Sequence, residues 1–164
     1  MGLATPADMT PLLAEDIAAL EELADLLASL PQSAVFAIIL IKNVSAVLIS
    51  FVFSPILCLT PVMALTVNGW LLGLVATLVM QEKSLGYLLA GLLPHGIFEL
   101  PALIMGEAVA LSFGTAVILA LFKEERRKLL LPNLRHNLRY LAVALALFLP
   151  AAIIETYLTP LLLR

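Results

Sequence analysis

Seven polar or ionisable side chains stand within otherwise apolar stretches of this chain, and two of them have a spacing that suits joint chemistry. His95 and Glu99 are four residues apart, so a turn of helix places both on one face. An imidazole and a carboxylate in that arrangement can pair or share a cation. The seven candidates are Lys42, Asn43, Asn68, His95, Glu99, Glu107 and Glu155.

Two interpretations of these residues stay open. The functional one is proton or ion handling, because a charge at the bilayer centre costs at least about 2.5 kcal/mol unless it is paired or hydrated. The structural one, which we favour, has His95, Glu99 and Asn68 bond the backbone groups that Pro94 and Pro101 free. Two ligands are too few for a closed metal site, so we expect no metal and no cofactor.

A second expectation concerns Lys42, which falls within the first apolar stretch. A buried ammonium is stable there only if it reaches the interface or meets a carboxylate. We expect Glu107 or Glu155 to neutralise it.

Sequence motifs of common enzyme classes are absent. The chain has no nucleophile elbow, no GxGxxG and no Walker motif. Its one cysteine, Cys58, excludes an internal disulfide and a cysteine-based metal cluster. We therefore expect neither an enzyme nor a nucleic-acid-binding protein.

The elements that position these residues follow from composition. Of the 164 residues, 62% are hydrophobic and 13% are charged, and the mean hydropathy is +1.09. A soluble domain is about half apolar and a quarter charged. The apolar runs are continuous rather than alternating, which favours helices over a barrel. The sequence predicts an all-α, polytopic bundle of transmembrane helices.

The membrane domain is predicted to cover residues 33–164. The third apolar stretch is expected to break near Pro94 and Pro101, leaving a re-entrant half-helix at 85–93 before one full crossing. Two crossings there are the alternative, and the first span has an alternative start near Asn43. The predicted spans are 33–55, 61–80, 85–122 broken at 94–101, and 140–162.

Residues 1–32 are predicted to form an acidic amphipathic helix. Its apolar positions recur every three or four residues from Leu13 to Leu30. Helices on anionic lipid favour basic faces, so we expect this one to pack at the interface, on the protein or on a partner. A solvated helix that merely leads into the first span is equally consistent. No basic region opens the chain, so no cleaved signal peptide is expected.

Charge predicts the topology. Six of the nine Lys and Arg residues lie in 123–139, and the positive-inside rule assigns this loop to the cytoplasm. We expect a multi-pass protein of the cell membrane, and a single crossing of 85–122 places the acidic helix outside.

Small residues recur at helical spacing in two spans, as Gly69 and Gly73 and as Ala102, Gly106, Ala110 and Gly114. Such positions let helix backbones approach closely. The pattern predicts a compact bundle and a homo-oligomer, although contacts within one chain use the same spacing.

Five segments together resemble the stage II sporulation protein M family. They are ALEELADLLASL (19–30), KNVSAVLISFVF (42–53), VNGWLLG (67–73), LPHGIFELPA (93–102) and IIETYLTP (153–160). The resemblance covers the chain from about Ile17 onward. It departs from the family in lacking the usual first transmembrane helix and in having Ser54, Pro55 and Pro61 where glycines are usual.

The resemblance implies a role as well as a fold. In spore-forming bacteria the family member is a polytopic scaffold that recruits peptidoglycan-remodelling enzymes. We therefore expect a non-enzymatic scaffold with membrane or cell-envelope protein partners in the lipid bilayer. The alternative is a small channel or transporter in which His95 and Glu99, with or without Glu155, line a polar path at a broken helix.

Overall fold

A computed structural model describes residues 22, 26, 29–56 and 58–163, which contain helices and no strands. The all-α prediction is confirmed. The chain divides into two compact units, Met1–Val35 and Phe36–Arg164. In the first unit Glu22 and Leu26 are helical, whereas Ser29 and Leu30 form a turn and a bend, so the predicted acidic helix does not continue to residue 32. Residues 1–21, 23–25 and 27–28 of that prediction lie outside the described residues.

Four long helices dominate the described part of the chain, and each is long and apolar enough to cross a membrane. The last one passes through a π-helical turn before it ends. In chain order the elements are α1 (Gln32–Phe53), α2 (Leu59–Glu82), α3 (Leu85–Phe122), α4 (Glu124–Arg127), α5 (Leu130–Ile153), the π-helical turn (Ile154–Leu158) and α6 (Thr159–Leu162).

Helix α3 is the central element of the second unit. Its residues Glu99 and Glu107 face Asn43 and Ser50 of α1, so α1 and α3 run parallel. Helix α5 runs antiparallel to α3. Asn137, near the start of α5, meets Ser112 of α3, and Glu155, just after the end of α5, meets the earlier α3 residue His95. The buried apolar cluster lies among α1, α3 and α5 and consists of Val47, Phe51, Ala102, Val109, Ala110, Leu141 and Phe148.

The small residues of α3 permit close contact with α1. A Cβ atom added at Gly106 would come 2.6 Å from Cγ1 of Val47, and one added at Gly114 would overlap the carbonyl oxygen of Ser54. By contrast, a Cβ atom at Gly69 or Gly73 of α2 would meet nothing within 4 Å among the described atoms. Close approach therefore occurs within the chain along α3, and the homo-oligomer stays a prediction.

The structure corrects the expected break at residues 94–101. Helix α3 is continuous for 38 residues with Pro94 and Pro101 inside it. A proline removes one hydrogen bond and bends a helix, but the turns on either side hold where neighbouring helices pack against it. At 1.5 Å per residue α3 is about 57 Å long, against a hydrocarbon core of about 30 Å. The half-helix is absent, and the segment forms one long helix.

The last long helix begins at Leu130 rather than near residue 140. Pro132 lies in its first turn, where the missing backbone N–H has no intrahelical partner to lose. The predicted loop 123–139 is therefore helical over much of its length, as α4 and the start of α5.

Candidate functional site

His95, Glu99 and Glu155 come together from two separate helices. One ligand atom from each of the three side chains can be chosen so that all lie within 4.8 Å of one another. Nε2 of His95 lies 3.8 Å from Oε2 of Glu99, with the side chains 11% and 27% exposed. This separation exceeds a hydrogen bond but suits a shared ion. The cluster contains one imidazole and two carboxyl groups.

Glu155 reaches the cluster from the π-helical turn. Proline has no N–H and clashes with the carbonyl four residues before it, so Pro160 disfavours regular α-helix here. The backbone N–H of Thr159 bonds Ile154 instead, and its hydroxyl donates to the same carbonyl at 3.3 Å. Such turns occur often at functional sites.

Two residues at the middle of α1 adjoin the cluster. Nδ2 of Asn43 donates to Oε1 of Glu99 at 3.1 Å, which leaves Oε2 as the oxygen that faces His95. Lys42 lines one cavity together with Glu99 and Glu155. An amide and an ammonium group therefore accompany the carboxylates.

Two cavities include both His95 and Glu155 among the residues that line them. One, of about 310 Å³, is lined on α3 from Tyr87 to His95. The other, of about 390 Å³, is lined on α3 from Leu92 to Ile104 and includes Asn68 of α2. Together they follow α3 from Tyr87 to Ile104, which is about 26 Å at 1.5 Å per residue. For comparison, a hydrocarbon core is about 30 Å thick.

The hydrogen bonds differ from those expected for polar groups at a broken helix. Asn68 donates to the carbonyl of Ala64 in its own helix at 2.8 Å, and Glu99 accepts from Asn43. His95 is 9% exposed, and its Nδ1 is buried without a hydrogen-bond partner among the described residues. Pro94 and Pro101 leave the carbonyls of Ala90 and Ile97 without a backbone N–H donor. Among the described residues, these side-chain hydrogen bonds do not reach either carbonyl.

Glu107 lies in separate surroundings. It is 1% exposed and accepts a hydrogen bond from the hydroxyl of Ser50. Glu107 and Glu155 were the two glutamates expected to neutralise Lys42. Glu155 lines the same cavity as Lys42, whereas Glu107 contacts Ser50 of α1.

The sequence reasoning missed two polar contacts between helices. Ser50 meets Glu107, and Nδ2 of Asn137 lies 3.3 Å from Oγ of Ser112 and 2.9 Å from Oδ1 of Asn133. Asn137 and Asn133 are four apart in a helix, a spacing that signals a paired face. Ser50 carries no comparable signal.

Comparison with known proteins relates the chain to one protein family. The family model described as stage II sporulation protein M matches residues 5–160. An uncharacterized protein of Methanocaldococcus jannaschii is 27% identical over 126 residues, which cover 76% of this chain and 71% of the relative. No solved structure matches the chain. Because the family model matches nearly the whole sequence, the chain belongs to the stage II sporulation protein M family.

Proposed function

We propose that this multi-pass membrane protein moves protons or small cations through the site formed by His95, Glu99 and Glu155. The observation that carries the proposal is the position of the cluster in the lining of two cavities: His95 and Glu155 line both, and Glu99 lines one. Ionisable groups within membrane helices are expensive and commonly mark ion pathways. A cluster that served packing alone would not be expected to line two cavities.

The chemistry of the cluster fits a carrier of positive charge. Two carboxylates attract cations, and an imidazole can take up or release a proton near neutral pH. The buried Nδ1 of His95 has no partner in the described part of the chain, so a proton can bind there without displacing a protein hydrogen bond. Lys42 lines the same cavity as both glutamates and supplies a positive charge when no ion is bound.

Flux measurements test the proposal. Purified protein is reconstituted in vesicles that contain a pH-sensitive dye, and parallel vesicles contain dyes for monovalent and divalent cations. We expect flux of one of these ions above that of empty vesicles. We expect Glu99→Gln to reduce this flux to the empty-vesicle rate, because the variant loses a carboxylate but keeps its shape.

The matched control is Glu125→Gln. It makes the same chemical change at an exposed glutamate outside the apolar helices, and we expect it to retain the wild-type flux. Absence of flux for protons and for every tested cation would contradict the proposal, as would equal flux in wild type and Glu99→Gln.

A scaffold role is the second candidate, and an exposed surface supports it. Residues 123–128, KEERRK, are six consecutive charged residues, and all are exposed. Only one short ion pair within this segment is described, between Arg127 and Glu124 at 3.7 Å. The remaining charges are available to a partner protein, as the family resemblance implies.

The scaffold role is tested by partner capture from native membranes. We expect the double variant Arg126→Glu with Lys128→Glu to lose proteins that co-purify with the wild type, because two positive charges of the surface are reversed. Lys83→Glu, an exposed reversal between α2 and α3, is the control. Identical partner sets for all three proteins would argue against docking at this segment.

Neither role involves catalysis, and we propose that the protein is not an enzyme. Cys58 lies 3.5 Å from the hydroxyl of Thr115 and 3.9 Å from the carbonyl oxygen of Leu111. Neither group is a general base that would activate a thiol. A catalytic turnover detected with the purified protein would contradict this proposal.

A further inference from the structure

We propose that His95, Glu99 and Glu155 bind one divalent first-row transition-metal ion, with one imidazole nitrogen and two carboxylate oxygens as protein ligands. The inference rests on the proposed function, because it names the chemical class of the ion that the site carries. Metal binding itself is measurable without transport.

The distances among the three side chains suit one ion. Ligand atoms about 2.1 Å from a tetrahedral ion are about 3.4 Å apart. Nε2 of His95 and Oε2 of Glu99 are 3.8 Å apart, and all three ligand atoms lie within 4.8 Å of one another. Closing the largest of these gaps requires about 1.4 Å of movement. Small rotations of the glutamate side chains supply that.

The surroundings orient the ligands. His95 and Glu99 are four residues apart on α3, so the helix holds them on one face. Asn43 of α1 bonds Oε1 of Glu99 and leaves Oε2 toward His95. Hydrogen bonds of this kind to a coordinating carboxylate are a regular feature of metal sites. The π-helical turn then presents Glu155 from the other side.

The ligand types select the class of metal. Magnesium and calcium prefer sites made wholly of oxygen, whereas an imidazole ligand favours transition metals. No thiolate or thioether belongs to the cluster, so soft monovalent copper is disfavoured. Manganese, iron and zinc in the divalent state satisfy these conditions.

The adjoining cavity allows the ion to enter and leave. Three protein ligands leave at least one coordination position open, as in sites where the metal exchanges a ligand. Water occupies about 30 Å³ per molecule, and the cavity of about 390 Å³ that contains Glu99 and Glu155 holds several. Water can therefore complete the coordination of an ion in transit.

Cobalt titration of the purified wild-type protein in detergent tests the inference, because the absorption of Co²⁺ reports its ligands. We expect one Co²⁺ per chain and its displacement by Zn²⁺. We expect Glu99→Gln and Glu155→Gln each to weaken binding at least about tenfold. Glu107→Gln, which changes an intramembrane glutamate outside the cluster, keeps the wild-type affinity.

His95→Cys separates a ligand role from a structural one. A thiolate in place of the imidazole remains a metal ligand but is softer. We expect this variant to bind Co²⁺ with a new sulfur-to-cobalt absorption band, and to favour Zn²⁺ over Mn²⁺ more strongly than the wild type does. A structural role for His95 predicts no such band.

The outcomes distinguish this inference from the proposed function. Metal binding that the cluster variants abolish supports the inference even if no flux occurs, in which case transport fails alone. Proton flux with no metal binding overturns the inference and leaves transport standing. Metal binding that is equal in wild type and in all cluster variants also overturns it, since the ion then binds elsewhere.

Discussion

Two glutamates of helix α3 lie two helical turns apart in different surroundings. Glu107 is almost fully buried, accepts a hydrogen bond from Ser50 and follows Gly106, where Val47 of α1 approaches closely. Glu99 lines a cavity, accepts a hydrogen bond from Asn43 and lies beside His95. Both are carboxyl groups on one apolar helix, yet one belongs to a packed interface and the other to a cavity.

The difference teaches that the role of a polar group in a membrane helix depends on the helices around it. Glu107 is almost fully buried and bonded to Ser50, so we expect that carboxyl group to contribute to stability. The cavity at Glu99 leaves room for water and a cation, so we expect that carboxyl group to contribute to binding. The following predictions test this division.

The largest effect is expected where α1 and α3 pack most tightly. Gly114→Val adds a side chain whose Cβ atom overlaps the backbone of Ser54, so we expect a loss of about 3 kcal/mol or more in the free energy of unfolding. Gly73→Val on α2 is the matched control, because no described atom lies within 4 Å of its added Cβ. Unfolding in denaturing detergent measures both, and equal losses would contradict tight packing between α1 and α3.

Removing Glu107 is expected to reduce stability and leave ion binding intact. Glu107→Ala leaves the hydroxyl of Ser50 without its partner in a buried position, which costs about 1–3 kcal/mol. Glu99→Ala is expected to cost less than this, since a cavity already adjoins the side chain, and to abolish binding. Unfolding and cobalt titration of both variants provide the comparison. Loss of Co²⁺ binding in a folded Glu107→Ala variant would contradict the separation of a stability role for Glu107 from a binding role for Glu99.

An intermediate effect is expected at Asn43. Asn43→Ala removes the amide that orients Glu99, and we expect affinity for Co²⁺ to fall about tenfold, as for other partners of metal ligands. Ser45→Ala on the same helix is the control, because this hydroxyl bonds the carbonyl of Lys42 in its own helix. Equal affinities of the two variants would show that Glu99 needs no orienting partner.

The smallest effect is expected at the contact between Asn137 and Ser112. Hydrogen bonds between membrane helices contribute about 0.6 kcal/mol on average, so Asn137→Ala should lower the free energy of unfolding by about that amount and leave flux unchanged. The unfolding assay used for Gly114→Val measures the loss. A decrease in flux would extend the functional region beyond the His95 cluster.

The helices were largely predictable from the sequence, because continuous apolar runs report membrane spans directly. The first two helices begin and end within two residues of the predicted 33–55 and 61–80. Pro94 and Pro101 misled the prediction of α3, since a proline signals a break only when neighbouring helices do not support the bent segment. The start of α5 was predicted ten residues too late, because the Lys and Arg residues of 123–139 end the apolar run although the helix itself already begins at Leu130.

The site was only half predictable. The spacing of His95 and Glu99 indicated a shared face, and the transporter alternative included Glu155 with them. Only the folded chain shows that Glu155 lies within 4.8 Å of both, whereas Glu107 does not belong to this group. Both the structural and the transporter interpretation of these residues assumed a broken helix, and α3 is continuous. Ser50 gave no sign in the sequence that it meets Glu107.

The sequence by itself determined that this is an all-α membrane protein with four long apolar helices, because the cost of exposing polar groups to lipid acts on each segment locally. It also determined which residues are polar within those helices. Only the tertiary structure decided their surroundings. The rotation and pairing of helices join residues far apart in the chain, and these bring Glu155 to His95 and Glu99 while burying Glu107 against Ser50.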